Sequence, residues 1–95
     1  MTKEEINKFC EEKEIELLLA DGFEEALIGY SVERWQTKVV ELAIYDRAKC
    51  IDILVKRDHM TEEEAEEYFQ FNVEGAFVGE QTPIFIYPIG KLAHF

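Results

Sequence analysis

The stretch Thr61–Val78, TEEEAEEYFQFNVEGAFV, constrains the fold more than any other part of the chain. It opens on Glu62, Glu63, Glu64, Glu66 and Glu67 and closes in a nearly uncharged aromatic run. Thr61 followed by Glu64 matches a capping box, in which the hydroxyl accepts from a free backbone N–H and the carboxylate reaches back. Acids in the first turn also suit the positive end of the helix dipole. Ala65, Tyr68, Phe69, Asn72, Val73 and Ala76 then recur at helical spacing and predict one stripe. Phe71 and Phe77 fall off it, so that end needs cover on several sides. Gly79 is a stop signal, and Thr82–Pro83 excludes helix beyond it.

The remaining segments read as partners for this helix. Thr2 to about Glu12 repeats the capping signal with Thr2 and Glu5, and Ile6, Phe9 and Cys10 give a narrow apolar stripe. Residues 15–20, IELLLA, are ambiguous between helix and buried strand, and strand is the favoured reading; Asp21–Gly22 ends them in a turn. Residues 26–33 and 38–45 alternate apolar positions and predict an antiparallel hairpin with Trp35 in its connection. Ile28, Tyr30 and Val32 are expected on one face. Asp46 is a good N-cap for a helix to about Arg57, with Ala48, Ile51, Leu54 and Val55 as its buried stripe and Cys50 beside it. Residues 83–89, PIFIYPI, predict a last strand with prolines at its ends, followed by a tail over 90–95.

The expected fold is therefore α+β in a single domain, 1–95. An N-terminal helix (1–12) precedes strands within 15–45, a helical hairpin (46–78) and a final strand (83–89). The sheet is expected to be small and antiparallel, with three to four strands and two to three helices packed on one face. A chain of 95 residues buries about 60–68% of its unfolded surface, enough for one modest core.

Charge narrows the function classes. The net charge is −11, and it is uneven. Residues 1–33 carry ten acids and three lysines, 34–60 six basic and four acidic residues, and 61–95 seven acids and one lysine. So acidic a surface argues against direct nucleic-acid binding, which needs a basic face. No apolar run approaches the ~20 residues of a membrane helix, and the charged N-terminus has no secretory character, so a cytoplasmic protein is expected. Cys10 and Cys50 show no metal or redox spacing and are expected to be reduced.

The segments ADGFEEALIG, AIYDRAKCIDIL and MTEEEAEEYFQFNVEGAFVGEQTPIFI together resemble a small, uncharacterised family of bacteriophage and prophage proteins. That family carries Y-D…K-C-I-x-x-L and E-E-A-x-E-Y-F-x-F-N-V-x-G-A-x-V-G-E-x-T-P segments. The likeness spans about Leu18 to Ile86. It implies a phage-type accessory protein in a host cytoplasm and brings no catalytic residues.

Candidate chemistry is sparse. Asp21, Glu24 and Glu25 cluster behind an apolar run and would suit Mg²⁺ in a small metal-dependent enzyme, although solvated turn acids fit the same pattern better. His59 and His94 have no zinc spacing around them. Asn72 is polar on an apolar stripe, so it either ties the helix end to backbone or meets a partner. Trp35, at the hairpin tip, is the expected partner anchor. Glu62, Glu63, Glu66 and Glu67 form an acidic row that could imitate phosphates in a basic groove, or simply keep the helix solvated. The expectation is a protein without cofactor that binds another protein, for instance a host nucleic-acid-handling or defence protein. A homodimer covering the surplus aromatics is a further expectation.

Overall fold

A computed structural model describes residues 1–90, except the side chain of Trp35; the tail 91–95, with His94, lies outside the described residues. Helix α1 (Lys3–Lys13) begins with the predicted capping box: Glu5 N donates to Thr2 Oγ1 (3.2 Å) and Thr2 N to Glu5 Oε1 (2.8 Å). It ends at Glu14, whose left-handed φ of 57° lets Ile15 N reach back to the Cys10 carbonyl at 3.0 Å. Strands β1 (Leu27–Trp35) and β2 (Lys38–Asp46) form the antiparallel hairpin, joined through Gln36 and Thr37.

Asp46 accepts from Lys49 N and caps helix α2 (Arg47–Arg57). Helix α3 (Glu62–Phe69) opens with the second capping box, Thr61 with Glu64. A π-helical turn, Gln70–Glu74, continues from it. The last strand, β3 (Ile84–Ile86), lies beside β2, so the sheet order is β1-β2-β3. The α+β class and the small sheet are as the sequence predicts.

Four details differ from the sequence expectation, each for a physical reason. First, β3 runs parallel to β2, with Ile44 opposite Ile84, so the sheet is mixed rather than antiparallel throughout. The chain leaves β2 and returns through α2 and α3, and such a helical crossover delivers a parallel strand. Second, residues 15–20 form no strand. Side chains tether them instead of a ladder: Ala20 N donates to Tyr45 Oη (2.8 Å) and Gln81 Nε2 to the Glu16 carbonyl (3.0 Å). Third, a bulge between Leu27 and Gly29 breaks the alternation of β1, and Ile28 is left exposed.

Fourth, α3 stops at Phe69 instead of running to 78. The π-helical turn adds a residue to the coil and rotates the residues beyond it about the helix axis. Ala65 and Phe69 are buried and Val73 is half-buried, whereas Tyr68, Asn72 and Ala76 are exposed. Gly75 N closes the turn on the Gln70 carbonyl at 3.0 Å. A Cβ at Gly75 would lie 2.8 Å from that oxygen, so the closure needs glycine.

The core sits between the helices and the sheet, around Phe23, Ala43, Tyr45, Cys50, Leu54, Ala65 and Phe69. Phe69 stands edge-on to Phe23 (5.7 Å) and to Phe85 (5.0 Å), and Phe85 stacks on Tyr45 (5.4 Å). The buried side of α2 is Arg47, Cys50, Ile51 and Leu54, while the predicted Ala48 is exposed. The stripe is turned toward Arg47 because that side chain finds acids and aromatic rings inside.

Candidate functional site

Arg47, the first residue of α2, joins three parts of the fold. Its Nη2 pairs with Glu66 Oε2 of α3 at 2.9 Å, and its Nε with Glu74 Oε2 of the π-helical turn at 3.1 Å. The guanidinium lies over the Tyr87 ring (4.7 Å) and the Phe69 ring (5.4 Å). Tyr87 closes the circuit by donating its hydroxyl to Glu74 Oε2 at 3.1 Å. Hydrogen bonding to Glu66, ahead of that to Glu74, holds the Arg47 guanidinium above its ordinary pKa. Local desolvation of its hydroxyl, ahead of the hydrogen bond to Glu74, raises the Tyr87 phenol, although the residue is 67% exposed. Arg47 thus ties α3 and the π-helical turn to the start of α2, so the cluster works as a clamp. The sequence expectation passed over Arg47; its signal was an arginine directly after an N-cap, with acids on the next helix and turn.

The clamp divides the acidic row. Glu66 pairs with Arg47 while its side chain keeps 47% exposure; Glu62, Glu63 and Glu67 are exposed as well and have no such pair among the described residues. Asn72 is exposed as well, and its Nδ2 donates to the Tyr68 carbonyl one turn back at 3.1 Å. On either side of it, the chain shows Phe71 at 74% exposure, Phe77 at 82% and Val78 at 55%. Isolated exposed apolar residues are ordinary, but two phenylalanines and a valine within one short stretch are a surface feature. Trp35 closes β1 opposite Lys38, at the other side of the sheet from β3.

A groove of about 480 Å³ opens beside this stretch. Leu18, Leu19 and Asp21 form one wall, Asn72, Val73 and Ala76 another, and Val78, Pro83 and Phe85 a third. Asp21 is its one charged lining residue, and Lys3 Nζ meets Asp21 Oδ1 at 3.2 Å across an exposed gap.

The three acids considered for a metal are used separately. Asp21 pairs with Lys3, Glu24 Oε1 accepts from Gly22 N at 3.3 Å, and Glu25 is exposed. Glu24 and Glu25 share a cleft of about 460 Å³ with Lys49, Asp52, Lys56 and Arg57, where the charges are mixed in sign. Among the described residues no group of three or more His, Cys, Asp or Glu side chains is placed to hold a metal ion. Cys50 is a packed thiol, pushed up to about 12 by burial and then by Asp46. Cys10 is half-buried, and both cysteines are free. His59 is exposed in a left-handed joint between α2 and α3. No described helix is long and apolar enough to cross a membrane.

Comparison with protein-family models, with curated proteins and with solved structures finds no match.

Proposed function

We propose that the chain is a non-enzymatic, acidic accessory protein of phage type that acts by binding another protein. The observation that carries this reading is the exposure of Phe71 (74%) and Phe77 (82%) in the segment that follows the exposed acids Glu62, Glu63 and Glu67 along the chain. Aromatic side chains are the residues on which protein contacts concentrate their energy, and a rim of one charge sign selects a partner of the other. A host nucleic-acid-handling or defence protein with a basic groove fits such a surface. A homodimer through the same two phenylalanines is the second reading that their exposure supports.

The test uses immobilised protein and host lysate, with a Phe71→Asp/Phe77→Asp double variant beside the unaltered chain. A protein retained by the unaltered chain and lost from the variant supports the reading. Identical bands from the two overturn it. Light scattering on the same two samples separates the dimer: a doubled mass that the variant abolishes places the phenylalanines between copies.

A further inference from the structure

We infer that two copies of the chain pair through the outer edge of β1, antiparallel about a two-fold axis at Val32, so that their sheets become one. The contact uses neither Phe71 nor Phe77 and goes beyond the protein-binding reading above.

The edge is open and regular. In the order β1-β2-β3, β1 has β2 on one side and no strand on the other. Among the described residues no backbone bond from another segment reaches that side. The bulge lies at the start of the strand, between Leu27 and Gly29, and from Gly29 to Trp35 the register with β2 is unbroken. This regular part is centred on Val32. It contains no proline and no lysine, the residues with which single chains most often guard an edge.

The same strand is short of cover. β3 flanks β2 only over Ile44–Asp46, so toward its turn the hairpin is a ribbon of two strands. Trp35 aside, every residue from Val32 to Val39 is exposed, with Val32 at 43% and Val39 at 52%. Val39 lies opposite Arg34, which is two residues from Val32, so the two valines share one face of the ribbon. A two-stranded ribbon in water is marginal by itself, and further strands stabilise it. Pairing at the axis sets Val32 against its own copy and shields both.

Charge selects a second copy and fixes the register. From Ala26 to Tyr45 the chain carries Glu33 and Glu41 against Arg34 and Lys38, so this segment is neutral and the net charge of −11 comes from the rest. Two such chains repel one another least when they meet here. An axis at Glu33 or at Arg34 would set like charges directly opposite, which disfavours both registers. The axis at Val32 sets Arg34 of one copy opposite Tyr30 of the other, a cation within reach of an aromatic ring, and Glu33 opposite Ser31. Within one chain Ser31 Oγ already donates to Glu33 Oε1 at 3.0 Å, so that pair of groups is suited to bonding across the axis.

The test is sedimentation equilibrium of the whole chain at micromolar concentration, in low and in moderate salt. The expected result is a doubled mass that the Phe71→Asp/Phe77→Asp variant keeps. Val32→Asp and Val32→Lys each place two like charges at the axis and should weaken dimerisation by about tenfold or more. An equimolar mixture of these two variants should regain the doubled mass, because the charges at the axis are then opposite. Position 32 is exposed in the single chain, and an unchanged amide pattern over α2 and α3 verifies folding of each variant. A single mass for the unaltered chain in both salts, a doubled mass that both Val32 variants keep, or a mixture that stays monomeric overturns the inference. A doubled mass lost in the phenylalanine variant also overturns it and moves the contact to Phe71 and Phe77. A monomeric chain that still retains a lysate protein through those phenylalanines removes this inference alone. A dimer at Val32 whose lysate bands do not depend on them leaves it standing and removes the broader reading.

Discussion

Helices α1 and α3 start on the same motif: Thr2 with Glu5, and Thr61 with Glu64, each pair exchanging both bonds of a capping box. In each box the backbone N–H of the threonine holds the glutamate carboxyl below its ordinary value. The helices part company after the first turn. α1 buries Ile6 alone, outside the main core cluster, and its Lys3–Asp21 pair is exposed. α3 buries Ala65 and Phe69 in the centre of that cluster, and Glu66 ties it to Arg47. The caps set where a helix begins. The buried face decides how firmly it belongs to the fold, because apolar burial contributes several times what a cap does.

Four measurements break or sharpen that contrast. Phe69→Ala removes a ring that touches Phe23, Phe85 and the Arg47 guanidinium, and should cost about 3–5 kcal/mol in urea denaturation. Ile6→Ala in α1 should cost nearer ~2 kcal/mol. Equal losses would erase the distinction between the helices.

Alkali should act on the same core. The Cys50 thiol is raised from 9.0 to about 12, and the Tyr45 phenol from 10.0 to about 12, each chiefly by burial. Folding therefore favours the protonated forms. That stability is fully present below pH 9 and is lost as pH rises toward 12. Urea midpoints taken across this range should fall, and Cys50→Ala should flatten the part between the two ordinary values. A midpoint constant to pH 12 would contradict burial of these groups.

Arg47→Ala leaves Glu66 and Glu74 unmatched, but Glu66 is partly solvated, so the cost should be about 2 kcal/mol rather than the full value for a buried pair. Hydrogen exchange should show the loss in α3 and the π-helical turn, with α1 unaffected. The smallest effect separates the caps. Thr61→Ala should cost ~1 kcal/mol of global stability, whereas Thr2→Ala should fray α1 with little change in the global midpoint. Because Glu5 and Glu64 are lowered, their contributions are present above the ordinary carboxylate value and fade as pH falls through the folded pKa. Loss of exchange protection in α1 before α3 on acidification would sharpen the contrast; simultaneous loss would end it.

The parts of the fold that were legible in advance are those written in local chemistry. Thr2, Thr61 and Asp46 place three helix starts, and the alternation around Trp35 places the hairpin. The parts that were not legible depend on distant partners. Residues 15–20 have the pattern of a strand, yet β2 is already paired on its two edges by β1 and β3. The stripe from Ala65 to Ala76 assumes continuous α-helical spacing, which the turn at Gln70–Glu74 breaks. The acids of α3 look equivalent along the chain, but one of them, Glu66, is claimed by Arg47.

The sequence by itself determined the helix caps, the hairpin and the acid-rich ends, because each depends on neighbours a few residues apart. Only the tertiary structure decided that β3 is parallel, that Arg47 turns inward to meet Glu66, Glu74 and Tyr87, and that Phe71 and Phe77 turn outward. Those outcomes are set by which groups from distant segments compete for one core, and a buried guanidinium settles only where opposite charge and aromatic faces already converge.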